Sequence, residues 1–385
     1  MSIMEYFDQK KNIQRILLEY LEEKNVEENF EIFLQVLKDQ QVHEDYHEIK
    51  EILYLINNIA NNHQRTDNFY NKIERIIEVM KKEITKIMKN SEIFELFKNC
   101  KRLLLFFIEE RIITLDEYIV SRITSDEFLE NKYCQYFSPE IKEFITKEFI
   151  DKYSCQNSIL RNGQLIKEII KEEKEELFYE RRREGENDSY LSEIIRKQET
   201  KEFIVHVNKT NLSLENYIET SIFETNELLM KNNKEIKIIE YAAFYGSNEI
   251  IRYMHKNGAT MRSNIWYYAI HSGDAELIKY LEDNKISPPK DTYESILRES
   301  IKCHHNDVSR YIINYLIDEE EMKNNIENNF EENLYRYSFE YRNYCFLPEN
   351  IKCKYTFYYL CEFDYYTPVK LYLEQENIDI NSTVI

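Results

Sequence analysis

Glycine and proline are scarce, five of each in 385 residues. β-rich folds need many turns and dinucleotide-binding folds need a glycine-rich loop, so both are disfavoured. The glycines stand only at 163, 185, 246, 258 and 273. No Gly-x-x-x-x-Gly-Lys, Gly-x-Gly-x-x-Gly or Gly-x-Ser-x-Gly string can be assembled from them. Long apolar runs are missing too, and the longest, Leu103 to Ile108, is core-sized. The start, Met1 to Lys10, lacks the basic-then-apolar layout of a signal peptide. Seven cysteines are scattered without a framework, which implies a reduced, cytoplasmic setting. Positive charge is outweighed. A net charge of −20 argues against nucleic acid and anionic membrane surfaces as partners, while the lack of an apolar run of transmembrane length argues against membrane insertion. The run Arg181-Arg182-Arg183, flanked by Glu180 and Glu184, reads as a solvated face. Tyrosine is abundant, as are Ile, Asn, Lys, Glu and Phe. These are residues of AT-rich codons, so the tyrosines are no binding signal in themselves.

Alanine is also rare, yet five of six fall between Ala242 and Ala275, together with Gly246, Gly258 and Gly273. Small residues there imply close backbones, and the glycines imply turns. Tyr241 to Ala259 spells a short helix, a glycine turn, an apolar-faced helix and a glycine stop. The pattern returns 27 residues later: Ala242 corresponds to Ala269, Gly246 to Gly273, and Ile250-Ile251 to Leu277-Ile278. A poorer copy runs from Ser300 to Ile312 with Val308 for Ile250, and another from Leu360 to Asn381. Asn333 to Asn350 fills one unit with almost no signature. A period near 30 residues marks stacked supersecondary units.

The Ala-Ala-x-x-Gly-x-x-Glu string, the paired aliphatics and the Gly-Ala close resemble the ankyrin repeat, with Ala242, Ala243, Gly246, Gly258, Ala269 and Gly273 as defining positions. Lys237-Ile238-Ile239-Glu240 replaces its Thr-Pro-Leu-His opening, and the short step implies a shortened β-finger. The chain is also similar to a lineage-expanded family of protist (trichomonad-type) ankyrin proteins. Ser221 to Asn226, Ile239 to Phe244, Trp266 to His271 and Ser300 to Asp307 carry that similarity, which implies an architecture and no particular activity.

The first half is helical by periodicity. Ile49, Ile52, Leu53, Ile56, Ile59 and Ala60 make one apolar face, and Ile73, Ile76, Ile77, Met80, Ile84 and Ile87 a second. Asn57 to Asn71 reads as the loop between them. Phe94 to Thr114, with Leu104-Leu105, and Tyr190 to Ser213, with Phe203-Ile204, are each either an eroded repeat or an ordinary hairpin. The charged stretch Lys167 to Asp188 is the best boundary. The expectation is an all-α protein: a helical region over 1–185, a connector or eroded repeat over 186–236, and a short, degenerate ankyrin-like solenoid over 237–385.

Two clusters could carry chemistry. His43-Glu44-Asp45-Tyr46-His47 matches His-Glu-x-x-His, in which two histidines hold zinc and the glutamate activates water. The apolar face, extended backwards, reaches Val42 and Tyr46, so His43 and His47 project with Glu51 on the polar side. Cys303-His304-His305 with Cys345, Cys353 and Cys361 lacks tight zinc spacing. His304 stands where Gly246 and Gly273 stand, so a turn role is simpler, and Cys361 falls at a packing position. The expectation is no metal, no cofactor and no catalysis. Trp266, the only tryptophan, reads as core.

A stack of repeats presents a long variable surface suited to protein recognition, which points to an adaptor or scaffold. The contact positions expected are Phe244, Tyr245, His271 and Ser272, before the turn glycines, with Met261, Arg262, Pro288 and Pro289 in the connecting loops. An acidic chain implies a protein partner with a basic patch and a salt-sensitive on-rate. The alternatives are a zinc-dependent hydrolase using His43, Glu44 and His47, and a self-assembling solenoid. No polar capping repeat follows Ile385, so Phe357, Tyr358 and Leu371 are expected near an exposed stack end.

Overall fold

The computed structural model describes residues 1–22, 26–40, 42, 45–66, 68–128, 132–152, 175–230, 235–317, 330–347 and 356–375. Among them the chain is all-α, with one isolated antiparallel bridge, Tyr217 to Lys237. No helix among them is long and apolar enough to cross a membrane. Two compact units are present: Met1–Ile87 with Gly273–Ile385, and Met88–Ser272.

The first unit starts with α1 (Ile3–Glu22), α2 (Val26–Asp39), α3 (Tyr46–Asn62) and α4 (Phe69–Ile87). Asp45 starts α3 by accepting hydrogen bonds from the amides of His47 and Glu48 at 2.7 and 3.2 Å. The apolar face of α3 is buried as its period requires, and that of α4 is buried through Ile84. The loop expected over 57–71 is shorter. α3 continues to Asn62, where the side-chain amide nitrogens of Asn61 and Asn62 donate to Asn57 Oδ1 and the Asn58 carbonyl one turn back. After the second unit the chain returns as α18 (Ala275–Asp283), α19 (Glu294–Lys302), α20 (Asn306–Tyr311, prolonged by one π turn), α21 (Phe330–Glu340), a 3-10 turn at Tyr344–Phe346, α22 (Thr356–Glu362) and α23 (Tyr366–Gln375). Phe7 of α1 lies in the core of this unit. Its ring centroid is 5.9, 6.2 and 6.1 Å from those of Phe339, Tyr344 and Tyr365.

The second unit holds α5 (Asn90–Phe97), α6 (Lys101–Glu109), α7 (Glu117–Ile123), α8 (Tyr133–Tyr136), α9 (Ser138–Ile141), α10 (Lys147–Lys152), α11 (Glu175–Glu184), α12 (Tyr190–Arg196), α13 (Thr200–Thr210), α14 (Glu227–Met230), α15 (Ile238–Phe244), α16 (Asn248–Lys256) and α17 (Ile265–Ser272). Ala242, Ala243 and Ala269 are fully buried where α15 packs on α17, as small residues at a close helix contact should be. Trp266 is fully buried and is a core residue. The arginine run is not a solvated face throughout. Arg182 is completely buried, bidentate to Glu140 at 2.7 and 2.8 Å, with its guanidinium over the rings of Phe178, Tyr179 and Tyr136. Arg183 beside it is exposed.

One turn recurs. Gln198, Gly246, Gly273, His304, Arg342 and Asp364 all have positive φ, between 52 and 63°. Except at Gly273, the residue after each donates its amide to the carbonyl five residues back: Glu199 to Ile194, Ser247 to Ala242, His305 to Ser300, Asn343 to Ser338 and Tyr365 to Leu360, at 2.9–3.0 Å. This is the Schellman closure of a helix. The residue four before each turn (Ile194, Ala242, Ala269, Ser300, Ser338, Leu360) is buried. The described part of Asn333 to Asn350 therefore contains the same turn, between α21 and the 3-10 turn, although its letters show none. Ser338 takes the alanine's place and satisfies its hydroxyl on the Leu334 carbonyl at 2.7 Å. The hairpin α12–α13 has the turn too. Counted from it, Phe203 aligns with Ile251, one position from the pairing with Ile250 that the letters suggest. Cys361 is exposed and not a packing position, because the small-residue place in its hairpin belongs to Leu360.

Candidate interaction surfaces

Three turn residues of the first unit carry side chains where a glycine would serve, at about 1–2 kcal/mol of local strain each. Each meets a residue from the N-terminal helices. At the first, Gln14 of α1 is fully buried and all its polar atoms are engaged. Its amide nitrogen donates to His304 Nδ1 at 3.0 Å and to Asn343 Oδ1 at 2.9 Å, and its oxygen accepts from the Tyr344 amide at 2.8 Å. His304 Nε2 faces the Tyr341 carbonyl at 3.1 Å, so the neutral ring with its proton on Nε2 satisfies both contacts. Burial, helped by the neighbouring His63, holds the His304 pKa down at about 3. At the second, Arg342 has its Nε 3.2 Å from the Glu51 carboxylate, and its guanidinium lies over Tyr54 and Tyr365. Tyr344 donates its hydroxyl to the same carboxylate at 2.5 Å. Glu51 is 5% exposed, against its expected place on a polar side. Its partners are supplied from the far end of the chain, which no local period can reveal. At the third, Lys50 pairs with Asp364 at 2.7 Å. Close by, Glu48 binds Lys10 and Thr367.

His47 stacks on Tyr366 with centroids 3.5 Å apart and planes 8° apart. His43 and Glu44, the rest of the His-Glu-x-x-His string, lie outside the described residues, as does Cys353. His63 caps α3, with Nδ1 2.8 Å from the Cys303 carbonyl and Nε2 3.0 Å from Glu22. His304 is a turn residue, as its alignment with the glycines suggests. A cavity of about 560 Å³ opens beside the Gln14 contact, with Lys11, Arg15, His305, Asn306, Arg310 and Cys345 on its walls. Its basic groups are matched by Glu19, Glu22 and Asp307, so it has no charge preference.

The loop edge of the second unit differs. Ile218 donates to the Ile236 carbonyl at 2.8 Å and Ile238 to that of Asn216 at 3.1 Å, pairing two connections side by side. Glu215 ties in the third. Its carboxylate receives Lys237 Nζ and, at 2.6 Å, the Thr260 amide. Those contacts, Lys237 first, hold its pKa down at about 2. Tyr217 stands outward, 39% exposed, with Arg262 Nη2 3.5 Å from its hydroxyl.

The expected contact residues divide accordingly. Arg262 is exposed and Met261 half-buried, both on this loop edge. Tyr245 is half-buried and donates to Glu186 at 2.5 Å. Phe244, His271, Ser272, Pro288 and Pro289 are buried and not open to a partner, which corrects the expectation that the fold leaves them free. Phe244 and His271 stack on each other at 5.3 Å, and Ser272 gives its hydroxyl to the Ala269 carbonyl. Gly258 is open, with positive φ. Sequence reasoning missed Glu215 and Tyr217, which carry no motif. Of the stack-end residues expected, Tyr358 is half-exposed, while Phe357 stacks on Tyr372 at 5.2 Å.

Compared with family models, curated proteins and solved structures, the chain matches none of them.

Proposed function

We propose that the chain is a non-catalytic, cytoplasmic adaptor of the ankyrin type, which binds a partner protein through the loop edge formed by Tyr217, Thr260, Met261 and Arg262. The observation that carries this reading is the cross-tying of three successive loops by Glu215, which fixes an outward tyrosine and arginine on ordered backbone. Tyrosine and arginine are the residue types that concentrate binding energy at protein interfaces. The opposite, turn-side positions are consumed by the protein's own contacts, so the loop edge is the better surface. The net charge of −20 steers a partner with a basic patch, while the local edge supplies the specific contacts. The repeated turn, the buried Ala242 and Ala269, and the short connections support an ankyrin type with shortened fingers.

The test is affinity capture from the native cytosol with the full chain and with a Tyr217→Ala/Arg262→Glu variant, read by mass spectrometry at two salt concentrations. A protein held by the wild type, lost with the variant and weakened by salt supports the adaptor. Equal capture by both chains overturns the assignment of this edge.

A further inference from the structure

We infer that residues 1–87 can be exchanged between two copies of the chain, so that the N-terminal helices of one copy close the C-terminal hairpins of the other. The inference stands apart from the adaptor reading. The first unit is discontinuous in sequence: its two parts, Met1–Ile87 and Gly273–Ile385, are separated by the whole second unit. The N-terminal part holds together by itself. Tyr20 donates to the Lys72 carbonyl, Thr66 and Lys72 both donate to that of Leu21, and Arg75 grips Glu27 through two hydrogen bonds of 2.8 and 2.7 Å. These contacts tie α1, α2 and α4 together, and α3, which carries Lys50 and Glu51, packs on α4.

This N-terminal packet is joined to the hairpins by the Phe7 ring among Phe339, Tyr344 and Tyr365, and by complementary side chains: Gln14 with His304 and Asn343, Glu51 with Arg342 and Tyr344, Lys50 with Asp364, and His63 with the Cys303 carbonyl. Every one of these contacts is identical whether the packet comes from the same chain or from a second copy. The choice then rests on the hinge and on concentration. The hinge is short. α4 ends at Ile87 and α5 begins at Asn90, leaving Met88 and Lys89, of which Lys89 is extended (φ −75°, ψ 151°). A hinge this short is the kind of connection across which an element can be exchanged between copies.

The test uses two full-length variants, Glu51→Arg and Arg342→Glu. Alone, each places like charges in the buried pair. Mixed, unfolded and refolded together, they can form an exchanged heterodimer. In it, the packet of the Glu51→Arg chain meets the hairpins of the Arg342→Glu chain, and the native Glu51 of the second chain meets the native Arg342 of the first. Both buried pairs are then of opposite charge. The expected result by light scattering is a 1:1 heterodimer exceeding either homodimer on the order of a hundredfold. A mixture behaving as the sum of its two components overturns the inference. If the variants alone fail to fold, wild-type chains carrying two different tags are refolded together over a range of concentrations. A mixed-tag dimer that survives dilution supports exchange, and its absence at every concentration overturns it.

Discussion

The Glu51 carboxylate receives the Tyr344 hydroxyl at 2.5 Å and lies 3.2 Å from Arg342 Nε, inside a core where both charged side chains are almost fully buried. A charge left alone there is far more harmful than a pair. Glu51→Ala should therefore lower unfolding stability by about 3–5 kcal/mol. Burial pushes the Tyr344 hydroxyl well above its ordinary range, so it remains a donor. Glu51→Gln, which keeps an acceptor, should lose less. Urea midpoints of the three chains check this.

Protonation of His304 should make the first unit acid-sensitive. An unfolded histidine takes a proton near 6.5, while the folded ring resists until about 3. Between those values the unfolded chain binds more protons, so stability falls as pH drops through that window, by up to about 1.4 kcal/mol per unit. His304→Asn keeps a residue tolerant of positive φ and removes the titration. Its stability should be lower at pH 7, but the gap to the wild type should narrow as pH falls toward 5. Parallel pH curves for the two chains would count against the buried neutral ring.

Two glycines separate strain from crowding. Gly258 has φ of 91° and open space where a Cβ would stand, so Gly258→Ala should show only the conformational penalty, about 1–2 kcal/mol. Gly273 has φ of 63°, and a Cβ there would sit 2.8 Å from the His305 ring. Gly273→Ala should thus be the more damaging of the two by thermal unfolding, and His305→Ala should recover part of the difference.

Adjacent arginines should behave in opposite ways. Arg182→Ala leaves the Glu140 carboxylate without its bidentate partner and empties a buried site, and should cost about 3–5 kcal/mol. Arg183 is 62% exposed at a 3.3 Å contact with Glu109, so its removal should change stability by less than about 1 kcal/mol. Denaturant titration of both variants distinguishes them.

The letters revealed the class and the densest part of the pattern for physical reasons. Ala242, Ala269, Gly246 and Gly273 are read directly because close helix contact and positive φ leave few residue choices. Further along, Ser338 and Leu360 fill the small-residue place, and Arg342 and Asp364 fill the glycine place. The requirement there is met by long-range partners, so the string loses its signature while the backbone keeps it. Glu51 looks solvated because it lies off the apolar face with His47, and Arg182 because charged residues flank it, and only the fold supplies Arg342 and Glu140. Asn61 and Asn62 look like a loop because asparagine commonly is one, yet their amides bond back along the helix. The loop edge was half legible: Arg262 stands in a visible connection, while Glu215 acts through pairings with Lys237 and Thr260 that have no sequence signal.

The central claim is that turn side chains of the C-terminal hairpins are held by the N-terminal helices. A double-mutant cycle tests it most directly, measuring unfolding free energies of the wild type, Glu51→Ala, Arg342→Ala and the double variant. The expected coupling is about 1–3 kcal/mol, with the double variant less unstable than the sum of the singles. Additive losses would contradict it.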